Sequence, residues 1–402
     1  MYINDNEKKA ARQLYLFDFS EKTAKGEKTT TIFDYSVSYP DQLRGAMNAL
    51  VDTFSEEDRD FLFYKPGTGR PGLTMYNVLC IIVFMSISEC STMRKCIKMV
   101  NENPNLRYAM DINDRVNISE TSVCKKSHTL IKRLDLGSSI QDYYLRKCNS
   151  DLICCGSIDS TIYKAREKAV GQLNYKEFKE KQAKEQEAEE NKPKGHRGRY
   201  PVGSPEEAEC KKRKEEAQRK EELERERLKS CTYEDLAKSL QKGCGWTAKK
   251  NSQGKFEWFR GYKFHFLTDD NGCIAAYEIT GANVADSAVS IALKKKCPIA
   301  YLYTVEDKGY DSPKLRNYAD DTGHVAIIDR RNDTNCSKMP PFHREVYKKR
   351  TTVERSNGEL KECFLPKDLH YRSSRLKFQF EMSIFLFNMK RLQETSPESK
   401  IA

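Results

Sequence analysis

Apolar and polar residues follow two different rhythms along the chain. Between Asp41 and about Leu136, apolar residues recur at 3.6-residue spacing in short segments, and Ser, Thr or Asp stands where each segment begins. This pattern is typical of amphipathic helices and their N-caps. A helix capped by Ser119 would present Lys125 and Lys126 to solvent, as a helix-turn-helix DNA reader requires. A helical bundle with a basic surface explains the same residues equally well.

The rhythm changes at Asp151. The run LICCGSIDSTIYKA is nearly continuous in apolar residues and predicts a buried strand with Asp159 near its end. FRGYKFHFLT and CIAAYEIT alternate and are joined by DDNG, a strong hairpin signal. A strand ending near Asp307 and the strand HVAIIDRR follow, with a helix predicted before and after each. The order predicts an α/β fold with a mixed sheet flanked by helices.

A charged segment interrupts this order after the first strand. Residues from about Glu167 to Gln241 include very few apolar side chains, so they cannot bury a core of their own. The segment is either a solvated helical hairpin or partly disordered, and its heptads lack the apolar positions of a coiled coil. We expect solvated surface, with a basic stretch from Lys192 to Arg199 that could contact phosphates.

The segment YKKRTTVERSNGELK repeats polar groups at helical spacing. In one continuous helix each residue advances by about 100°, which would place four side chains on a polar stripe about 60° wide: Tyr347, Arg350, Glu354 and Lys361. Val353, Leu360 and Phe364 would form an apolar face beside it. An exposed Arg350–Glu354 pair at i, i+4 would also be ordinary surface stabilisation, so this segment alone does not decide its role.

Further carboxylates give the stripe a second interpretation. If the strands that end near Asp159 and Asp307 are neighbours, two like charges face one another, and a divalent cation would relieve that cost. Glu354 adds a third hard oxygen ligand, which suits Mg²⁺ or Mn²⁺. Two such ions, about 3.5 to 4 Å apart, would stabilise the attacking and leaving oxygens of a phosphoryl displacement. The same helix would then hold phosphates through Arg350, Lys361 and Tyr347.

Composition agrees with a polyanionic partner without requiring one. The 402 residues include 70 Lys and Arg against 59 Asp and Glu, a formal net charge of +11. The first residues are charged where a secretory signal would be apolar, and the run from Val78 to Met85 is far shorter than the roughly 20 residues that span a bilayer. The 14 cysteines show no paired zinc spacing, so we expect free thiols in the cytoplasm and no membrane partner.

At its candidate site the chain resembles a known family. Asp159 in IDST, Asp307 in EDKGYDS and Glu354 in the pattern Y-x2-R-x3-E-x6-K are similar to the catalytic triad and glutamate signature of bacterial insertion-sequence DDE transposases. The likeness covers roughly residues 150 to 390 outside the charged segment. It implies an RNase H-like core, two Mg²⁺ ions for which Mn²⁺ may substitute, and the three carboxylates as catalytic metal ligands. It also implies contacts to the transposon end from Tyr347, Arg350 and Lys361.

The resemblance also implies an activity and partners. We expect a DNA transposase that cleaves double-stranded DNA at terminal inverted repeats and joins it to target DNA, acting as a homodimer on DNA in the nucleoid of a bacterial cytoplasm. A catalytically inactive, transposase-derived DNA-binding protein and an RNase H-fold nuclease are the alternatives.

The predicted divisions are an N-terminal segment of unassigned role, a helical, helix-turn-helix-like DNA-binding region, a catalytic core in two pieces, a charged helical insertion between them, and a tail. The N-terminal segment is residues 1–45 and the helical region is residues 46–148. The catalytic core is residues 149–166 with 242–390, the insertion between its two pieces is residues 167–241, and the tail is residues 391–402.

Overall fold

The fold is known from a computed structural model. It describes residues 33, 37–65, 72–88, 90, 92–148, 151–165, 167–170, 180, 184, 200–251, 253–329, 339–365 and 373–395. The predicted basic stretch from Lys192 to Arg199 lies outside these residues. None of the described helices is long and apolar enough to cross a lipid bilayer. The cysteines within the described ranges are free thiols, as expected.

The N-terminal part is helical, as the 3.6-residue spacing predicts. Side chains at the predicted starts accept hydrogen bonds from backbone amides, including those of Thr74, Thr92 and Ser119. The central helix α3 is buried on nearly all sides because its sequence is almost wholly apolar. The helices are α1 (Tyr39–Val51), α2 (Glu56–Phe63), α3 (Met75–Ile87), α4 (Met93–Glu102), α5 (Pro104–Ala109), α6 (Glu120–Arg133) and α7 (Leu136–Lys147).

A six-stranded mixed sheet follows, in the order β2-β3-β1-β5-β6 with β4 paired to β3. Strand β1 runs parallel to β5 and antiparallel to β3, and β5 runs parallel to β6. This arrangement confirms the predicted mixed α/β architecture and is consistent with an RNase H-like core. The strands are β1 (Leu152–Lys164), β2 (Gly245–Lys250), β3 (Phe256–Thr268), β4 (Ile274–Gly281), β5 (Ala300–Glu306) and β6 (Val325–Ile328).

Helices cover both faces of the sheet. They are α8 (Pro205–Ser230), α9 (Tyr233–Ser239), α10 (Asp286–Lys296), α11 (Pro313–Thr322), α12 (Pro341–Tyr347), α13 (Arg350–Glu359) and α14 (Ser373–Thr395). A short 3₁₀ turn (Lys308–Tyr310) follows β5, and a π-helical turn (Leu360–Phe364) follows α13.

One hydrophobic core joins the helical region to the sheet. Phe264 of β3 stacks on Phe380 of α14, and both belong to the same buried cluster as Leu79 and Phe84 of α3. A second cluster on the opposite face holds Leu267 of β3 against α10 and α11. The long helix α14 therefore links the helical region to the face of the sheet that carries the candidate site.

The charged segment after β1 contributes one long helix. Helix α8 has 26 residues and buries only Leu228, as a segment without apolar periodicity must. Its C-terminal part is held by ionic contacts, since Arg225 pairs with Asp321 of α11 at 2.5 Å and Lys229 approaches the same carboxylate at 3.4 Å.

Candidate active site

Two aspartates lie side by side at neighbouring strands. Ile158 of β1 pairs with Glu306 of β5 in the parallel register, and Asp159 and Asp307 are the next residues of each. Neighbouring strands lie about 4.8 Å apart, and successive side chains point to opposite faces. Asp159 and Asp307 therefore share one face of the sheet, which is the arrangement that the two apolar runs predict. Asp307 directly follows β5 and precedes the 3₁₀ turn.

Helix α13 is docked onto the same face by side-chain contacts. The hydroxyl of Ser157, two residues before Asp159, donates to the Lys349 carbonyl at 3.2 Å. The hydroxyl of Ser356 donates to the carbonyl of Gly272, in the β3–β4 turn, at 2.9 Å. These bonds fix both ends of the helical turn that carries Glu354.

The β3–β4 turn is itself braced against the start of β1. Gly272 adopts φ +82°, a left-handed conformation that favours glycine, as the DDNG signal predicts. The Asp270 carboxylate accepts hydrogen bonds from the backbone amides of Cys154 and Cys155, at 2.7 and 3.1 Å. It also pairs with Lys349 at 3.2 Å. Asp270 therefore links the turn, β1 and the start of α13.

Asp159 is half-buried among charged and polar groups. Its Oδ2 accepts a hydrogen bond from the Asn357 side-chain amide at 2.9 Å. Burial raises the pKa of Asp159, and the negative charge of Glu354 acts in the same direction, whereas the Arg350 guanidinium opposes it. Glu354 and Arg350 thus lie close enough to Asp159 to act on its charge.

Asp307 differs from Asp159 in its partners. Its side chain makes no capping hydrogen bond to the 3₁₀ turn that it begins. Its negative charge nevertheless acts on Tyr347 in the helical segment. Burial raises the pKa of Tyr347, and the negative charges of Asp307 and Glu354 raise it further. Tyr347 therefore connects the Asp307 side of the site with Glu354.

The stripe does not lie on one continuous helix, so the prediction of a single helix from Tyr347 to Phe364 was wrong. Tyr347 ends α12, and the chain turns at Lys348 and Lys349 before α13 begins at Arg350. Contacts from other elements explain the break, because Ser157 binds the Lys349 carbonyl and Asp270 binds its amine. The π-helical turn then changes the angular step before Lys361.

The four stripe residues still gather at the site. Arg350 pairs with Glu354 at 2.7 Å, and its guanidinium carbon lies 5.9 Å from the centre of the Tyr347 ring. Partial burial lowers the pKa of Lys361, with Lys249 of β2 acting in the same direction and Asp159 in the other. Cations and carboxylates are therefore interleaved at one end of the sheet.

The donor set is that of a hard cation, although the side chains are not closed around one. Among the described residues, no three histidine, cysteine or carboxylate side chains approach closely enough to hold a metal ion. Glu354 is directed to Arg350, and Asp159 is directed to Asn357. Three carboxylates with oxygen donors alone suit Mg²⁺ or Mn²⁺. Glu354 would have to exchange Arg350 for the cation.

The remaining candidates lie elsewhere. Helix α6 is capped by Ser119, whose hydroxyl accepts from the Ser122 amide at 3.2 Å, and Lys125 on it is exposed while Lys126 is half-buried. This helix packs on α3, α4 and α14, which carry none of the three carboxylates. His265 is buried, and its Nε2 lies 2.9 Å from the Thr280 hydroxyl oxygen.

Sequence patterns missed Asn357 and the position of Lys249. Asn357 stands three residues after Glu354, so helical spacing could have placed it beside the stripe. No local signal relates Lys249 to Lys361, because the two residues meet only through the sheet.

Two family models match the chain. Residues 219–389 match the Transposase DDE domain, and residues 32–126 match the Transposase domain (DUF772). The first match includes Asp307 and Glu354 and begins after Asp159. No curated protein and no solved structure matches the chain significantly. DDE transposases catalyse phosphoryl transfer on DNA and generally use divalent metal ions. The chain carries a transposase DDE domain behind an N-terminal transposase domain, and this combination implies DNA transposase activity.

Proposed function

We propose that this transposase is of the bacterial insertion-sequence type with the Y-x2-R-x3-E-x6-K signature. It would cleave DNA at terminal inverted repeats and transfer the freed strand into target DNA. The observation that carries the proposal is the gathering of Asp159, Asp307 and Glu354 at one end of the sheet, supported by the β1–β5 register and by the influence of Glu354 on Asp159.

In this proposal the three carboxylates hold two Mg²⁺ ions, which Mn²⁺ can replace. The bound ions would supply charge stabilisation for the attacking and leaving oxygens of the phosphodiester. Asp159 is suited to this role because burial raises its pKa, so that its charged form gains from a nearby cation. Asn357 holds one oxygen of Asp159 and limits how the carboxylate can turn.

The cationic side chains would then bind the DNA. Release of Glu354 frees the Arg350 guanidinium, which can hold a phosphate through two parallel hydrogen bonds. Lys361 and Tyr347 flank the same site and would contact the transposon end. Lys125 and Lys126 would bind DNA through the helical region. We propose a homodimer on DNA, acting at the bacterial nucleoid.

A nicking assay on a duplex that carries the terminal repeat tests this function. Wild type should nick in Mg²⁺ or Mn²⁺ and not in EDTA, and Asp159→Ala or Glu354→Ala should abolish nicking. Glu345→Ala is the matched control, because Glu345 is also an exposed carboxylate paired at 2.7 Å with a cation on its own helical segment, Lys348. This control should nick as wild type does.

Other outcomes separate the alternatives. Specific binding of the DNA end without cleavage in either metal would indicate a transposase-derived DNA-binding protein. Cleavage without joining of the free 3′-hydroxyl would indicate a nuclease. Metal-dependent nicking that survives both substitutions would overturn the assignment of Asp159 and Glu354.

A further inference from the structure

The N-terminal half of strand β3 projects beyond β1 and β4, the two strands that flank its C-terminal half. Residues Tyr262–Thr268 lie between β1 and β4, whereas residues Phe256–Arg260 pair with β2 as their one neighbour among the described strands. Strand β2 and this part of β3 form a two-stranded ribbon, which we call the β2–β3 hairpin and define as residues 245–261. The hairpin buries little of its own surface, so packing against the hydrophobic core does not explain why it projects from the sheet.

The hairpin exposes large aromatic side chains. Trp258 is 69 % exposed, Phe256 is 63 % exposed and Trp246 is 41 % exposed. The chain has two tryptophans, and both are on this hairpin. Exposed aromatic groups clustered on one ribbon are unusual for a surface that contacts only water, and they mark an interaction site.

Cations accompany these rings. The Arg260 guanidinium lies 5.6 Å from the centre of the Trp246 ring, which lies opposite it in the hairpin. Within the hairpin the sequence has a single acid, Glu257, against four cations: Lys249, Lys250, Lys255 and Arg260. The surface is therefore aromatic and basic, which complements a strand with stacked bases and phosphates rather than an apolar protein surface.

The strand register connects this surface with the active site. Asp159 lies opposite Phe266 of β3, and alternation along β3 places Arg260 and Trp258 on the same face as Asp159. Trp246 joins them because it lies opposite Arg260. Arg260 is six residues from Phe266, which corresponds to about 20 Å along the strand.

We propose that the β2–β3 hairpin binds unpaired bases of the DNA strand that enters the active site. The inference rests on the proposed function, which supplies that strand. Bases stack on Trp258 and Trp246, each stack contributing about 1–3 kcal/mol, and the neighbouring cations hold the phosphates. A paired duplex buries its base faces, so the hairpin prefers single-stranded DNA. The stacked bases would lie about 20 Å or more along β3 from the position opposite Asp159.

Tryptophan fluorescence tests the inference directly, because both tryptophans report on the hairpin. The full-length protein is titrated in EDTA with a short single-stranded oligonucleotide and with the duplex of the same sequence. We expect the single strand to quench the fluorescence more strongly than the duplex. Trp258→Ala should weaken single-strand binding about tenfold, measured by anisotropy of a labelled oligonucleotide, whereas Trp258→Phe should retain most of it. Tyr64→Ala is the matched control, since Tyr64 is also 69 % exposed and lies on the helical region.

The outcomes separate this inference from the proposed function. Unchanged tryptophan fluorescence in a protein that nicks duplex ends would overturn the hairpin inference alone. Quenching by the single strand in a protein that does not nick in Mn²⁺ would support the hairpin and overturn metal-dependent cleavage. A fluorescence change that follows protein concentration without DNA, with dimerisation by sedimentation that Trp258→Ala removes, would assign the surface to a second copy and overturn the inference.

Discussion

Two neighbouring carboxylates at the end of β5 lie on opposite faces of the sheet and differ in their hydrogen-bond and ion-pair partners. Glu306 is fully buried on the α10 face, where Lys294 lies 2.6 Å from its Oε1 and the Ser290 hydroxyl donates to its Oε2 at 2.8 Å. Asp307, one residue later, points to the opposite face and makes no hydrogen bond through its side chain to the parts of the chain that the structure describes. Within the described residues, the fold pairs the first carboxylate with a lysine and a hydroxyl but gives the second no side-chain hydrogen bond.

Replacing the unsatisfied carboxylate should have the largest effect on activity and almost none on folding. Asp307→Asn keeps the shape and removes the charge, so we expect nicking to fall at least about a thousandfold, or about 4 kcal/mol of transition-state stabilisation. Thermal unfolding should remain within about 0.5 kcal/mol of wild type. A quantitative nicking assay with a parallel melting curve checks both. Retained nicking by the folded variant would remove Asp307 from the site.

Breaking the satisfied pair should reverse that pattern. Lys294→Met leaves Glu306 buried without its cation, which should cost about 3 kcal/mol of the free energy of unfolding, measured by urea denaturation. Catalytic loss beyond the unfolded fraction is not expected. The double variant Lys294→Met/Glu306→Gln should recover much of the stability because no buried charge remains. If the double variant is as unstable as the single one, packing rather than charge explains the loss.

Asn357 sharpens the comparison because it is the neutral partner on the catalytic face. Asn357→Ala should lower nicking about 10- to 100-fold, as loss of a group that orients a metal ligand does. Asn357→Asp should also move the acidic limb of the pH–rate profile to higher pH, since a second negative charge raises the pKa of Asp159 further. A purely structural role would change the melting temperature and leave the pH profile in place.

The smallest expected effect concerns His265, which lies on the α10 side and takes no part in the site. Burial lowers its pKa to about 4 from an ordinary 6.5. Below pH 6.5 the unfolded chain therefore binds a proton at His265, whereas the folded chain binds it only near pH 4. The contribution of neutral His265 to the free energy of unfolding is thus fully present above pH 6.5 and is lost as the pH falls from 6.5 towards 4.

His265→Gln should remove about 1 kcal/mol of the stability difference between pH 7 and pH 5.5, measured by urea denaturation at both values. An identical difference in wild type and variant would show that His265 is protonated equally in both states.

The sequence predicted the parts of the site that depend on local patterns. Asp159 and Asp307 were found because each follows an apolar run, and parallel neighbouring strands make such residues meet. The charged helix α8 was predicted as solvated because its letters offer no apolar face.

The rest depends on contacts between distant elements. The break between Tyr347 and Arg350 results from Ser157 and Asp270, which are far away in sequence. The burial of Lys294 against Glu306 also could not be predicted, because a lysine at the end of a helix is usually solvated.

Gly272 has a consequence for how related chains can vary. A Cβ at this position would lie 3.0 Å from the Ser356 hydroxyl and 3.3 Å from the Thr352 methyl group, and the left-handed backbone adds strain. The β3–β4 turn and the helix that carries Glu354 therefore restrict one another's side chains. Substitutions at Gly272, Thr352 and Ser356 should be inherited as matched sets, so that two positions on α13 evolve together with a turn about eighty residues earlier in the sequence.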